Sequence, residues 1–368
     1  MAVTSLLDSV FRRRKKKTTE LINDYAVFEF DFDTIRAATN EFSDVIGRGG
    51  FGSVYKGRLQ SGQEIAVKIL LKSSIRTHRQ FHNELNLLSK LRHKNLINLL
   101  GFSTKRDHYC LVYEFMPNSS LDRFILDPHR ASQLSWEMCR NIVQGIACGL
   151  RYLHEESGLW VVHCDIKPAN VLLDSELKPK IMGFELARMM QQGGNEAEYS
   201  EIVGTVPVKF CDINILEGEI GYLDPEYMRS GRVCVKSDVY AFGVTILTII
   251  SRRKVWIVDG DSLIDYVMRC WNRGEAIDVI HEVMREEETE DSISEILRYI
   301  HIALLCIDED AETRPSIDKV LHWFSCFSSP LHEPFIGNRF LAEKETNLSW
   351  SPSLSPGHSS VMSPISSR

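Results

Sequence analysis

Between residues 45 and 70 the chain carries Gly47-Arg48-Gly49-Gly50-Phe51-Gly52-Ser53-Val54, of the form G-x-G-x-x-G-x-V, with strand-like sequence on both sides. No other feature limits the fold as strongly. A G-x-G-x-x-G that closes a strand and opens a helix reads as a dinucleotide fingerprint. Here the motif runs into Val54-Tyr55-Lys56-Gly57, which is strand. The glycines then belong to a β-turn whose backbone N–H groups lie over phosphate oxygens. Glu64-Ile65-Ala66-Val67-Lys68 follows with the alternation of a strand. Residues Ile46 to Val54, with Ala66 and Lys68, make up the expected nucleotide cradle, and Lys68 is the cation expected at the α and β phosphates. A helical pattern from Thr77 to Leu91 carries its expected orienting partner, Glu84. Singly, a Lys or a Glu is more often an ordinary surface residue; the ordered set carries the inference.

A second motif, His163-Cys164-Asp165-Ile166-Lys167-Pro168-Ala169-Asn170, matches H-x-D-x-K-x-x-N. Asp165 is placed to accept a hydroxyl proton, Lys167 to neutralise a transferring phosphate and Asn170 to hold a metal. With both motifs in order, the chain resembles the eukaryotic protein kinases, and Lys two residues after the Asp is the serine/threonine form. The resemblance implies an α+β, bilobal fold with a small β-rich lobe and a larger helical lobe, using ATP and magnesium. It makes Tyr113 the gatekeeper, and gives the adenine contacts to the backbone of Glu114 and Met116. It makes Asp238, in Ser237-Asp238-Val239-Tyr240-Ala241-Phe242-Gly243, the brace of the catalytic loop, and pairs Arg314 with Glu226 of Asp224-Pro225-Glu226. Phe30-x-Phe32-x-x-Ile35-x-x-Ala38-Thr39-x-x-Phe42-Ser43 is similar to plant receptor-like kinases. Asn95-Leu96-Ile97-Asn98-Leu99-Leu100-Gly101-Phe102 and Met116-Pro117-Asn118-Ser119-Ser120-Leu121 are close to their cysteine-rich subgroup. The chain looks like a cytoplasmic form lacking ectodomain and span, which implies stress or defence signalling near the plasma membrane.

Three departures stand against that likeness. In Lys180-Ile181-Met182-Gly183-Phe184-Glu185-Leu186-Ala187-Arg188, the Asp of Asp-Phe-Gly is Gly183 and the following Gly is Glu185. Losing a carboxylate that holds magnesium against phosphate costs several kcal/mol, on the order of a thousandfold in rate. Asn170 then keeps only the second metal position, so magnesium binding is expected to be weakened. Glu185 is expected to point away as a charged surface residue rather than replace the ligand, while Phe184 keeps its packing against the helix bearing Glu84. Cys164 replaces the Arg that reads an activation-loop phosphate, so phosphorylation there is not expected to act as a switch. Fourteen residues, 207 to 220, separate Gly204-Thr205-Val206 from Gly221-Tyr222-Leu223-Asp224-Pro225-Glu226. They read either as a substrate-docking element or as a retained intron fragment. Two functions follow: a serine/threonine kinase of reduced activity, or a pseudokinase that binds and regulates an active receptor kinase.

Composition narrows the remainder. A formal net charge of −7 with 25% charged residues argues against a general nucleic-acid partner. The nine cysteines never form C-x-x-C and read as thiols of a reducing compartment. No run approaches the roughly 20 apolar residues of a membrane span. The expected organisation is a basic N-terminal arm with a juxtamembrane-like segment over 1–44, a kinase domain over 45–327 with its lobes divided near 115, and a disordered Ser/Pro-rich tail over 328–368. In the arm, the six bases from Arg12 to Lys17 read as attachment to an anionic inner leaflet, a nuclear signal or a solvated stretch. Glu286 to Asp291 reads as a solvated inter-helix loop.

Overall fold

A computed structural model describes residues 27–49, 52–71, 75–105, 108–190, 196–197, 220–231, 233–255 and 262–334. The basic block Arg12–Lys17, Gly50 and Phe51, the extra stretch up to 219 and the tail from 335 lie outside the described residues.

The amino-terminal lobe is a six-stranded sheet in the order β1-β5-β6-β4-β3-β2. Its strands are β1 (Phe28–Glu29), β2 (Val45–Gly49), β3 (Gly52–Arg58), β4 (Glu64–Leu71), β5 (Leu99–Lys105) and β6 (His108–Glu114). β1 runs parallel to β5 and the other pairs are antiparallel. The period of two along β4 does the positioning. Ile65 and Val67 point to one face and bury completely with Cys110, Val112 and Ile35, the last from helix α1 (Phe32–Ala38). Lys68, one residue out of phase, lies on the opposite face, toward α2 (Ile75–Leu88). The lobe thus takes in β1 and α1, upstream of residue 45.

Helix α2 buries Phe81, Glu84, Leu85 and Leu88, a stripe at helical spacing. Phe81 stacks on Tyr109 of β6 with ring centroids 4.4 Å apart. Glu84 shares that stripe, so packing the apolar face carries its carboxylate inward.

The carboxy-terminal lobe is helical: α3 (Leu121–Ile125), α4 (Trp136–Arg151), α5 (Pro225–Ser230), α6 (Val235–Ser251), α7 (Leu263–Asn272), α8 (Glu282–Glu287), α9 (Glu290–Cys306) and α10 (Ile317–Ser325). Every residue of α6 from Ser237 to Ser251 is buried, as expected of a helix apolar all round. Between α4 and α5 lie the short strands β7 (Val161–Val162), β8 (Val171–Leu173), β9 (Pro179–Ile181) and β10 (Arg188–Met189). The β7-to-β8 connection holds Asp165, and the β9-to-β10 connection holds Gly183. A β-rich lobe followed by a helical one is the bilobal kinase fold.

Two expectations change here. The acidic run is not simply a solvated loop: Glu286 and Glu287 close α8, Glu288 accepts the Trp136 N–H at 2.6 Å, and Thr289 caps α9. Arg314 does not pair with Glu226. Its Nη2 donates to Asp224 at 2.9 Å, with both side chains at most 3% exposed. Asp224 is the N-cap of α5, and its carboxylate also accepts the Glu226 N–H (2.9 Å) and the Ser237 hydroxyl (2.7 Å). A capping side chain turns back toward the core, whereas the Glu226 side chain, in the first turn, is partly exposed and pairs with Arg229 at 3.5 Å.

Candidate nucleotide cleft and catalytic loop

The structure distributes the expected cradle over adjoining strands. Ile46, Gly47, Arg48 and Gly49 lie on β2; Gly52, Ser53 and Val54 on β3; Ala66 and Lys68 on β4. Gly52 has φ +146°, and a Cβ there would stand 2.2 Å from the Ile69 carbonyl oxygen, so only glycine lets β3 approach β4 this closely. Arg123 of α3 donates to the Ile46 carbonyl at 3.1 Å, tying the second lobe to this edge. Register places Lys68 between Val54 and Leu111, and Ala66 between Lys56 and Tyr113. Glu114 ends β6, and its carboxylate accepts from Lys180 and the Asn98 N–H, each at 2.8 Å. Met116 follows, buried.

Lys68 meets Glu84 as expected, Nζ to Oε2 at 2.9 Å. It also forms an ion pair with Glu185. Glu185 is therefore not a surface residue: it is 7% exposed and reaches across the cleft to the lysine. The physical reason is local. Asn83, next to Glu84 on α2, donates its Nδ2 to the carbonyls of Phe184 (2.9 Å), Glu185 (3.1 Å) and Ala187 (3.0 Å), fixing the path of the backbone. Phe184 is fully buried and packs edge-on against the His163 ring at 4.8 Å. With that ring and those carbonyls held, the next side chain points at the buried cation.

Electrostatics in this cluster are lopsided. Burial alone would push Lys68 down, but the Glu185 and Glu84 charges outweigh it and hold the amine above its ordinary value. Burial would raise Glu185, yet Lys68 keeps it below the usual carboxylate range. Glu84 is raised to about 6, first by burial and then by the Glu185 charge, against the pull of Lys68. Two carboxylates share one ammonium. The Glu84 carboxylate and the Tyr113 hydroxyl are buried beside each other.

The loop that carries Asp165 is held by Asp238, near the start of α6. Its Oδ2 accepts the His163 N–H at 2.7 Å and the His154 Nε2 at 2.8 Å, and its Oδ1 accepts the Cys164 N–H at 2.8 Å. Cys164 is held at φ +66°, a left-handed conformation in which an L-residue is strained. His163 Nδ1 accepts the Asp165 N–H at 3.2 Å, so its Nε2 carries the proton donated to the Met182 carbonyl at 3.0 Å. Burial lowers its pKa, in keeping with a neutral ring. Asp165 Oδ1 lies 3.0 Å from the Lys167 ammonium, and Oδ2 accepts from Asn170 Nδ2 at 2.6 Å. Burial raises the Asp165 carboxyl to about 6 despite Lys167.

Gly183 has φ +90°, and a Cβ built there would lie 2.9 Å from Asn170 Cγ and Nδ2. Magnesium wants near-octahedral oxygen donors, carboxylates among them. Gly183 offers none; Asn170 donates its Nδ2 to Asp165, which leaves its amide oxygen as the atom it could offer a metal, and among the described residues no three His, Cys, Asp or Glu converge as metal ligands. Position 183 therefore supplies no ligand for that ion.

Sequence reasoning missed the positions of Glu185 and Asn83. No motif marks Asn83; its role depends on where the carbonyls of a distant segment pass.

A β-rich lobe with a glycine motif on two of its strands, a Lys–Glu pair and an Asp-bearing loop braced from a buried helix define a protein kinase. The protein kinase domain family matches residues 41–324, and the chain belongs to it. Within that family it belongs with the cysteine-rich receptor-like protein kinases. It is 79% identical over 368 residues to cysteine-rich receptor-like protein kinase 45 of Arabidopsis thaliana, covering 100% of both chains. It is 40% identical to cysteine-rich receptor-like protein kinase 24 and 42% to cysteine-rich receptor-like protein kinase 34 of the same plant, covering 88% of this chain each time and 50% and 48% of those relatives. It thus spans about half the length of the latter two. Proteins with this domain use ATP and magnesium. No described helix is long and apolar enough to cross a membrane.

Proposed function

We propose that this chain binds ATP in the cleft beneath β2, β3 and β4 and transfers its phosphoryl group to serine or threonine at a much reduced rate. The observation that carries this reading is the pairing of an intact Asp165–Lys167–Asn170 loop with a glycine at 183, where a carboxylate would face magnesium. Asp165 is the base for the substrate hydroxyl, and Lys167 offsets charge on the transferring group. Ile46 to Val54, Ala66, and the backbone of Glu114 and Met116 hold the nucleotide. Magnesium is held weakly, with Asn170 as the remaining protein ligand position.

A second reading, a pseudokinase that docks to an active receptor kinase, is favoured by one further observation: Glu185 sits on the lysine meant for phosphate. Either way the setting we infer is intracellular signalling of the stress or defence type. Arg12 to Lys17 would then attach the chain to the anionic inner face of the plasma membrane, at about 1 kcal/mol per base near the surface.

Radiolabelled ATP turnover by purified protein, with Asp165→Asn alongside, decides between the readings. Slow phosphate transfer that Asp165→Asn abolishes supports the kinase. Turnover equal in both proteins and no greater than buffer supports the regulatory reading.

A further inference from the structure

The Lys68 ammonium, 5% exposed, is held between two carboxylates of different origin. Glu84 comes from α2 and is the ordinary orienting partner. Glu185 comes from the β9–β10 connection and is placed there by three Asn83 hydrogen bonds and the buried Phe184 ring. A carboxylate oxygen and a phosphate oxygen are alike in charge and hydrogen-bonding capacity, and both seek the same donor. The groups facing the Lys68–Glu185 pair are Glu84 from α2, Tyr113 from β6, and His163 and Asp165 from the β7–β8 connection. Only Lys68 is cationic, so a phosphate arriving here meets a cluster that already holds more carboxylate than ammonium.

We infer that Glu185 is an internal occupant of the phosphate position on Lys68, making the cleft discriminate against the triphosphate of ATP relative to an uncharged adenine nucleoside. This rests on the nucleotide-binding reading above and deepens it. A nucleoside uses the backbone of Glu114 and Met116 and the strand surfaces, and leaves the Lys68–Glu185 pair intact. A triphosphate reaches Lys68 only by displacing Glu185, and then leaves that carboxylate close to its own charge. Asn83 is a positioning residue in this scheme: it acts through the backbone that carries Glu185.

Calorimetric titration of the full chain with ATP and with adenosine, in wild type and Glu185→Gln, tests this. Glutamine keeps the size and loses the charge, and Lys68 keeps Glu84. The ATP dissociation constant should fall at least about tenfold in the variant, while that of adenosine changes less than about twofold. Asn83→Ala should shift the ATP-to-adenosine ratio in the same direction, which gives a second route if Glu185→Gln folds poorly. In a Lys68→Met background the Glu185→Gln effect on ATP should vanish, because the competition runs through that ammonium. An ATP-to-adenosine ratio unchanged by both Glu185→Gln and Asn83→Ala would overturn the inference while leaving nucleotide binding standing. Binding of neither ligand by any variant would remove the nucleotide reading and this inference with it.

Discussion

Asp238→Asn is the most informative single change in the scaffold. The Asp238 carboxylate is 1% exposed and accepts three hydrogen bonds, from the His163 and Cys164 N–H groups and from His154. An amide keeps the shape but has only one accepting oxygen. If that oxygen stays with His163 and His154, the new NH2 faces the Cys164 N–H, donor against donor. One charge-assisted bond is lost, a buried N–H is left without an acceptor, and the two surviving bonds lose their ionic character. The sum is about 2–4 kcal/mol, a fall in melting temperature of roughly 3–7 °C for a domain of this size. The loss should also be local, since these bonds hold Cys164 at φ +66° and through it the setting of Asp165. Circular dichroism melts give the stability, and hydrogen exchange at 163–166 gives the locality. A melting point within about 1 °C of wild type, or exchange unchanged at those amides, would refute the bracing argument.

Arg314→Leu should cost about 3–5 kcal/mol because it strands the buried Asp224 charge, whereas Glu226→Gln should stay within about 0.5 kcal/mol; urea melts of both variants check the partner assignment. Gly183→Asp should lower stability by about 1–3 kcal/mol, since φ is +90° and the added Cβ meets Asn170. That cost should shrink in an Asn170→Ala background, as a double-mutant cycle by thermal melting will read. Glu84 binds its proton more tightly folded than unfolded, its pKa having risen from 4.5 to about 6. It therefore stabilises the fold fully at low pH, and that contribution is lost as pH rises from about 4.5 through 6. Removing the Glu185 charge brings Glu84 back toward its ordinary value. Stability of Glu185→Gln relative to wild type should therefore grow between pH 5 and 7 in urea titrations.

Much of this was legible in the sequence because it depends on local order. The alternation around Ile65 and Val67 fixes which face of β4 Lys68 occupies, and the stripe of Phe81, Leu85 and Leu88 carries Glu84 inward with it. The run of Asp165, Lys167 and Asn170 folds back on itself within six residues. Glu185 was misjudged because its direction is set from elsewhere, by Asn83 on a helix about a hundred residues away along the chain. The Arg314 partner was misjudged for a related reason. Asp224 and Glu226 are two residues apart with the same charge, and only the capping geometry of α5 decides which one turns inward. Spacing identifies which groups are present; the path of distant backbone decides which of them meet.

If the cleft binds ATP while holding magnesium only weakly, ATP affinity should depend little on that ion. Equilibrium ATP binding to the full chain, measured by calorimetry with millimolar magnesium and again in chelator, tests it most directly. Dissociation constants should agree within about twofold in the two conditions. Binding that tightens more than about tenfold with magnesium and disappears in chelator would contradict it.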